Sequence, residues 1–291
     1  MKQVKKINSR THFSAYYHAE YAQTRYRTKR QKCRPPTKFS QVAAFLAFFV
    51  EAFKGRGFSP DAVVGFAKRH NLFSPDKMVS TTTLYAYIDA QRLEIRNIDL
   101  LMKLSRRSDQ PILKRNRKVF GQSIEERPAS VDIRTEFVHF EIDTIIGKRN
   151  GAETALLTLT ERMTRFEIIR AIDGKDADSV TYTLRQLMDE YSSNFSEIFR
   201  SITSDNRSEF SQLKECLKGF IAVYFTHTYS SCEHGTNENH TRVIRLYLPK
   251  GESIDGYARS FLEGIADKMN QLPRKILGYV TPNSWSNQPG N

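Results

Sequence analysis

Cysteine is scarce in this chain: three residues in 291, Cys33, Cys216 and Cys232, with no short pairing between them. That argues against a disulfide framework and fits a reducing compartment. Long apolar runs are missing too. The longest, 42–50, is too short to cross a bilayer. The charged start, Met-Lys-Gln-Val-Lys-Lys, leads into no apolar segment of the signal-peptide kind. There is no internal repeat and no phosphate-binding loop. Gly251-Glu-Ser-Ile-Asp-Gly256 has the glycine spacing but lacks the Lys-Ser/Thr pair, so no nucleotide cofactor is expected. The seven histidines form no zinc pattern, since Cys33 is the one cysteine of the first half. His227, His234 and His240 read as polar side chains rather than as metal ligands.

What is present is positive charge, unevenly placed. The chain carries +13 overall, but residues 1–130 hold 26 Lys and Arg against 10 acids, and residues 131–291 hold 19 against 22. A basic half joined to a near-neutral half suggests a polyanion-binding module beside a separate scaffold; the plainer reading is a solvated basic surface. Four regions follow. Residues 1–38 are a basic arm, with Arg25, Arg27, Lys29, Arg30, Lys32 and Arg34 interleaved with tyrosines, read as a helical arm on DNA or a frayed tail. Residues 39–97 are a small helical domain. Val42, Leu46, Phe49 and Phe53 recur at helical spacing, Ser59-Pro60 caps a second helix and Ser80 a third. The last begins Thr81-Thr82-Thr83, a small polar first turn like that of a recognition helix, where residues meet base edges; capping alone also produces such turns. Residues 98–130 are a basic linker. Lys114, Arg115, Arg117 and Lys118 are its densest cluster, read as tracking a phosphate backbone or as a flexible connector. Residues 131–291 alternate strands (137–146, 154–160, 165–172, 198–204, 221–226) with helices (176–192, 208–218, 237–247, 257–271). The expected class is mixed α/β.

Three acids stand out in that last region. Asp143 lies in Phe140-Glu141-Ile142-Asp143, where Val138, Phe140, Ile142 and Ile146 share one strand face and His139, Glu141 and Asp143 the other. Asp205 follows the run 198–204 at a strand end, with Glu209 four residues on. Glu238 opens a helical pattern that Thr236 can cap, and Arg242 and Arg245 share its face. Each has an ordinary alternative: a solvent face, a turn, a surface ion pair. Together, three carboxylates on two strand ends and a helix can hold two hard divalent cations, the equipment for in-line displacement at phosphorus.

Several stretches are similar to one family. Thr226-His-Thr-Tyr-Ser-Ser-Cys-Glu-His-Gly-Thr-Asn-Glu-Asn239 and Arg245-Leu-Tyr-Leu-Pro-Lys-Gly251 closely resemble transposases of the insertion-sequence-30 family. So do Glu126-Arg-Pro-Ala-Ser-Val-Asp132, His139-Phe-Glu-Ile-Asp143, Thr203-Ser-Asp-Asn206 with Glu209-Phe210, and Leu272-Pro-Arg-Lys-Ile-Leu-Gly-Tyr279 with Thr281-Pro282. The resemblance is strong over 120–285 and looser through Gly57-Phe-Ser-Pro60 and Ser80-Thr-Thr-Thr-Leu-Tyr85. It implies a ribonuclease H-like catalytic domain, with an integrase-type core, preceded by a small all-α helix-turn-helix domain. It puts Asp143, Asp205 and Glu238 on the family's catalytic, metal-holding triad, with two Mg²⁺ or Mn²⁺ ions. It implies cleavage at insertion-sequence ends followed by strand transfer into target DNA. The implied partners are terminal inverted repeats, target DNA and further copies of the chain, with no membrane, in a bacterial cytoplasm at the nucleoid. Arg242 and Arg245 become DNA contacts, Arg245 matching a basic position with which related integrases grip DNA. The family's first helix-turn-helix has no counterpart here, which keeps open a non-catalytic DNA-binding repressor derived from a transposase; a ribonuclease H-like nuclease that does not join strands is a further alternative. Arg207 stands where the family usually has Gly after Asp-Asn, so strain near Asp205 is expected if that position needs a positive φ.

Overall fold

The structure, a computed structural model, describes residues 2–7, 10–15, 18–32, 38–100, 120–148, 153–227 and 235–286. The chain divides into two compact units, Met1–Ala47 and Phe48–Asn291. In the first, β1 (Lys2–Ile7) and β2 (Arg10–Ala15) pair antiparallel, Val4 opposite Phe13, and α1 (Ala19–Lys32) follows. The arm expected to be helical is therefore a hairpin and then a helix. Cross-strand pairing is a nonlocal choice that a charged, weakly periodic stretch does not announce. Helix α1 is polar all round, with Arg25 over the Tyr21 ring and Arg30 over Tyr26.

Three helices follow: α2 (Ala43–Arg56), α3 (Pro60–Arg69) and α4 (Thr81–Asp89). The starts of α3 and α4 obey the sequence. The Ser59 hydroxyl accepts from the Ala62 N–H at 3.2 Å with Pro60 in the first turn, and the Ser80 hydroxyl accepts from Thr83 N–H at 3.2 Å. Such caps satisfy amide groups that a helix start leaves orphaned, for about 1 kcal/mol each. Helix α3 is also tied to the chain's C-terminal part. Tyr279 donates its hydroxyl to Asp61 at 3.0 Å, and Arg69 donates to the Gly278 carbonyl at 3.1 Å. A Cβ on Gly65 would sit 2.2 Å from the Tyr279 ring, so only glycine admits this packing.

The second unit is built on one six-stranded sheet. Its strands are β3 (Gln122–Ser123), β4 (His139–Ile146), β5 (Ala155–Glu161), β6 (Glu167–Ile172), β7 (Ser201–Ser204) and β8 (Ala222–Phe225), in the order β3-β8-β7-β4-β5-β6. Strands β4, β5 and β6 form an antiparallel meander; β7, β8 and β3 continue from β4 in parallel. This is the strand order of the ribonuclease H-like fold, with β3 added at the edge. Short α5 (Ala129–Ile133) precedes β4; α6 (Ala177–Tyr191) and α7 (Phe195–Ile198) connect β6 to β7. The expected helix over 208–218 is shorter: a 3₁₀ turn at Ser208–Phe210 and α8 (Leu213–Cys216). Last come α9 (Gly235–Ile244), α10 (Arg259–Asn270) and α11 (Pro282–Ser286). Helix α9 begins at Gly235, so Thr236 lies inside it rather than capping it.

Pleating divides the core. Phe140, Ile142, Leu157, Leu159, Ile168 and Ile172 face α6 and α7, whose Leu184, Leu187, Phe195 and Phe199 fill that side. Ile145, Leu156, Ile169 and Ala171 face α9 and α10 with Ile244, Leu262 and Ile265. The basic-linker reading of 98–130 gives way at its end. Phe120 packs on Phe225, β3 joins the sheet, and Arg127 is buried against Thr203. Residues 101–119, including Lys114, Arg115, Arg117 and Lys118, lie outside the described residues. Among the described residues no helix is long and apolar enough to cross a membrane.

Candidate functional site

The sheet register brings two of the three acids together. Strands β4 and β7 run parallel with His139 opposite Ser201, Phe140 opposite Ile202 and Glu141 opposite Thr203. Two residues further along both chains stand Asp143 and Asp205. Parallel neighbours two residues on share a sheet face and an end. Both side chains converge on one cation, the guanidinium of Arg207. Its Nη1 donates to Asp143 Oδ1 at 3.1 Å and its Nε meets Asp205 Oδ2 at 2.7 Å. The Arg207 amide also donates to Asp205 Oδ1 at 3.2 Å, and the Thr144 amide to Asp143 Oδ1 at 2.7 Å. Arg207 has φ −89° and ψ 155°, so the anticipated strain is absent.

Burial pushes the Asp143 carboxyl up, against the pull of Arg207. Asp205 is raised from 3.8 to about 6, first by burial and then by the Asp143 charge, with Arg207 opposing. Burial alone would lower Arg207, but Asp143, Asp205 and Glu209 outweigh it and raise it. Glu209 is the fourth acid, buried and answered separately. It receives the Thr144 hydroxyl at 3.0 Å and pairs with Lys175 Nζ at 3.1 Å. Asn206 braces the turn behind Asp205: its Oδ1 accepts from the Phe120 amide at 3.2 Å, and its Nδ2 donates to the Thr226 carbonyl.

The polar row on β4 is not a solvent face. His139 and Glu141 are buried. Glu141 pairs with buried Arg162 at 2.5 Å; Asp132 meets Arg162 and Arg127; and Arg127 donates to Thr203 at 3.0 Å. Burial raises Glu141 despite Arg162, and lowers His139 despite Glu136. Across the same sheet face Thr160 donates to Glu167 at 2.8 Å, and Glu167 also bonds His240 of α9. Asn270 of α10 accepts from the Glu167 amide and donates to its carbonyl, both at 2.8 Å. Sequence reasoning missed this belt because its ion pairs join elements far apart in the chain.

Glu238 is carried on α9, with its side chain outside the described part of the structure. Among the described residues no group of three or more His, Cys, Asp or Glu side chains is arranged to hold a metal ion. By chemistry the Asp143–Asp205 pair fits one: hard carboxylate oxygens converging on a positive charge. The other expected contacts are spread out. On α4, Thr82 is exposed, while Thr81 bonds Asp61 and Thr83 bonds Ser80. Arg242 lies on α9, half-buried. Arg245, just beyond the helix, donates to the Ile146 carbonyl at 2.8 Å and fastens that loop to β4.

No protein-family model matches the chain. A probable transposase for insertion-like sequence element IS1161 of Streptococcus salivarius is 38% identical over 215 residues, 74% of this chain and 60% of that protein. The transposase for insertion sequence element IS4351 of Bacteroides fragilis is 35% identical over 240 residues, 78% of this chain and 68% of that one. Transposase InsI for insertion sequence element IS30C of Escherichia coli (strain K12) is 34% identical over 165 residues. The chain belongs to the insertion-sequence-30 family of transposases. It spans about three-fifths of the streptococcal relative's length and 42% of the E. coli one. Of the transposase-like stretches, 139–143 lies on β4, and 203–206 begins on β7 and carries Asp205 just past its end.

Proposed function

We propose that this chain is a DDE-type DNA strand transferase, with Asp143, Asp205 and Glu238 as metal-holding residues. The observation that carries the reading is the meeting of Asp143 and Asp205, through a parallel register, on one positive charge. When bound there, a divalent ion supplies Lewis acidity at phosphorus and a more acidic attacking oxygen. Asp143 and Asp205 serve as its oxygen donors, held in place by the Thr144 amide and the Arg207 amide. The bond between His240 and Glu167 anchors α9, the helix that carries Glu238, to β6. Thr82, Arg242 and the basic cluster Lys114, Arg115, Arg117 and Lys118 are the proposed contacts to DNA, with phosphates as their main targets. Terminal inverted repeats and target DNA are the proposed substrates, and further copies of the chain the proposed partners, in a bacterial cytoplasm.

The test is strand transfer of labelled element ends into plasmid DNA with Mg²⁺ or Mn²⁺. Wild type joins strands and Asp205→Ala does not; equal joining by both refutes the mechanism. A second reading, a DNA-binding protein that does not cut, is favoured by one observation: Arg207 already fills the space between the aspartates. DNA binding with no metal-dependent nicking selects it.

A further inference from the structure

We propose that Arg207 is a tethered cation that competes with a divalent metal ion for Asp143 and Asp205. It thereby sets how tightly this site takes metal; the inference rests on reading the two aspartates as metal ligands. One residue engages both carboxylates. The guanidinium reaches Asp143 Oδ1 at 3.1 Å and Asp205 Oδ2 at 2.7 Å, and the amide of the same residue takes Asp205 Oδ1. Both oxygens of Asp205 are thus committed to Arg207. A hard cation shared by the two carboxylates needs the same lone pairs and the same space. Two positive centres within a few ångströms repel strongly where solvent is thin.

Arginine suits such a plug because it does not lose its proton at any working pH, so only displacement frees the ligands. Displacement is open to it. The side chain is 42% exposed, and its backbone is unstrained, with φ −89°. Among the described side chains the remaining acid beside the two aspartates does not need Arg207, since Glu209 has Lys175 at 3.1 Å and the Thr144 hydroxyl. Charge pairing in the cluster is therefore divided: Lys175 answers Glu209, and Arg207 answers the two aspartates. Metal entry becomes an exchange, with one divalent ion in and one guanidinium out to solvent.

The experiment is Mn²⁺ binding to the full chain at neutral pH, by calorimetry and by the electron paramagnetic resonance signal of free Mn²⁺. Wild type, Arg207→Gly and Arg207→Gln are compared, each with and without Asp143→Asn, and circular dichroism checks the fold. Gln keeps the side-chain length without the charge, so it guards against a loop loosened by Gly. The expected result is Mn²⁺ binding at least about tenfold tighter in both Arg207 variants, given the size of a like-charge contact at a half-buried site. That gain disappears with Asp143→Asn. Equal affinity in wild type and both Arg207 variants, weakened throughout by Asp143→Asn, overturns the competition and leaves the metal-site reading standing. No binding by any variant at millimolar Mn²⁺, or binding indifferent to Asp143→Asn, overturns both.

Discussion

Asp205→Asn makes the site's electrostatic cost measurable. The Asp205 carboxyl is raised from 3.8 to about 6, mainly by burial. A carboxyl whose folded value lies above its unfolded value favours the folded state while protonated. That advantage is complete below about pH 3.8 and is lost as pH rises through 6. At pH 7.5 the ionised group therefore costs the fold about 3 kcal/mol. Asparagine keeps the shape and still accepts from the Arg207 amide, a contact of 3.2 Å in the wild type, but carries no charge. In metal-free buffer with chelator, Asp205→Asn is expected to melt roughly 6–12 °C above wild type at pH 7.5, using about 2–4 °C per kcal/mol for a unit of this size. At pH 4 the two proteins should melt within a degree or two of one another. Thermal denaturation followed by circular dichroism at both pH values decides it. A variant no more stable than wild type at pH 7.5, or a gap that persists at pH 4, refutes the reasoning. Gain of stability with loss of strand transfer would mark Asp205 as a residue kept for chemistry at the expense of the fold.

Arg162→Met should destabilise the second unit by about 3–5 kcal/mol, because it strands the buried Glu141 carboxylate; urea titration measures this, and a loss under 1 kcal/mol shows Glu141 finding another partner. Adding Glu141→Gln should recover much of that loss, which a double-mutant cycle reports. Gly65→Ala should weaken the attachment of α3 to the C-terminal part, because the added methyl meets the Tyr279 ring. Faster hydrogen exchange in 272–285 with the sheet unchanged is the expected sign; unchanged exchange there sinks the idea.

Local rules made much of the fold legible. The alternation through β4 sorted Phe140 and Ile142 from Glu141 and Asp143 without reference to any other strand. Ser59 and Ser80 announced their helices because a cap is made within three residues of itself. Where local signals were weak the reading slipped. Residues 2–7 and 10–15 pair as a hairpin, and 120–130 join the sheet and, through Arg127, its buried ion-pair belt instead of ending a linker.

By itself the sequence determined the ordered set of acids, the family they belong to, and the separation of 62 residues between Asp143 and Asp205. Tertiary structure turned that separation into a contact: the parallel register of β4 on β7 has the same offset, so the two acids emerge side by side. It also decided what each charge does. Glu141 went into the core with Arg162, Arg245 was spent on the Ile146 carbonyl, and Arg207 came to rest between the aspartates. Those outcomes depend on which distant charges meet out of water, and the strength of a charge is set by its partner and its burial, neither of which a linear order of residues contains.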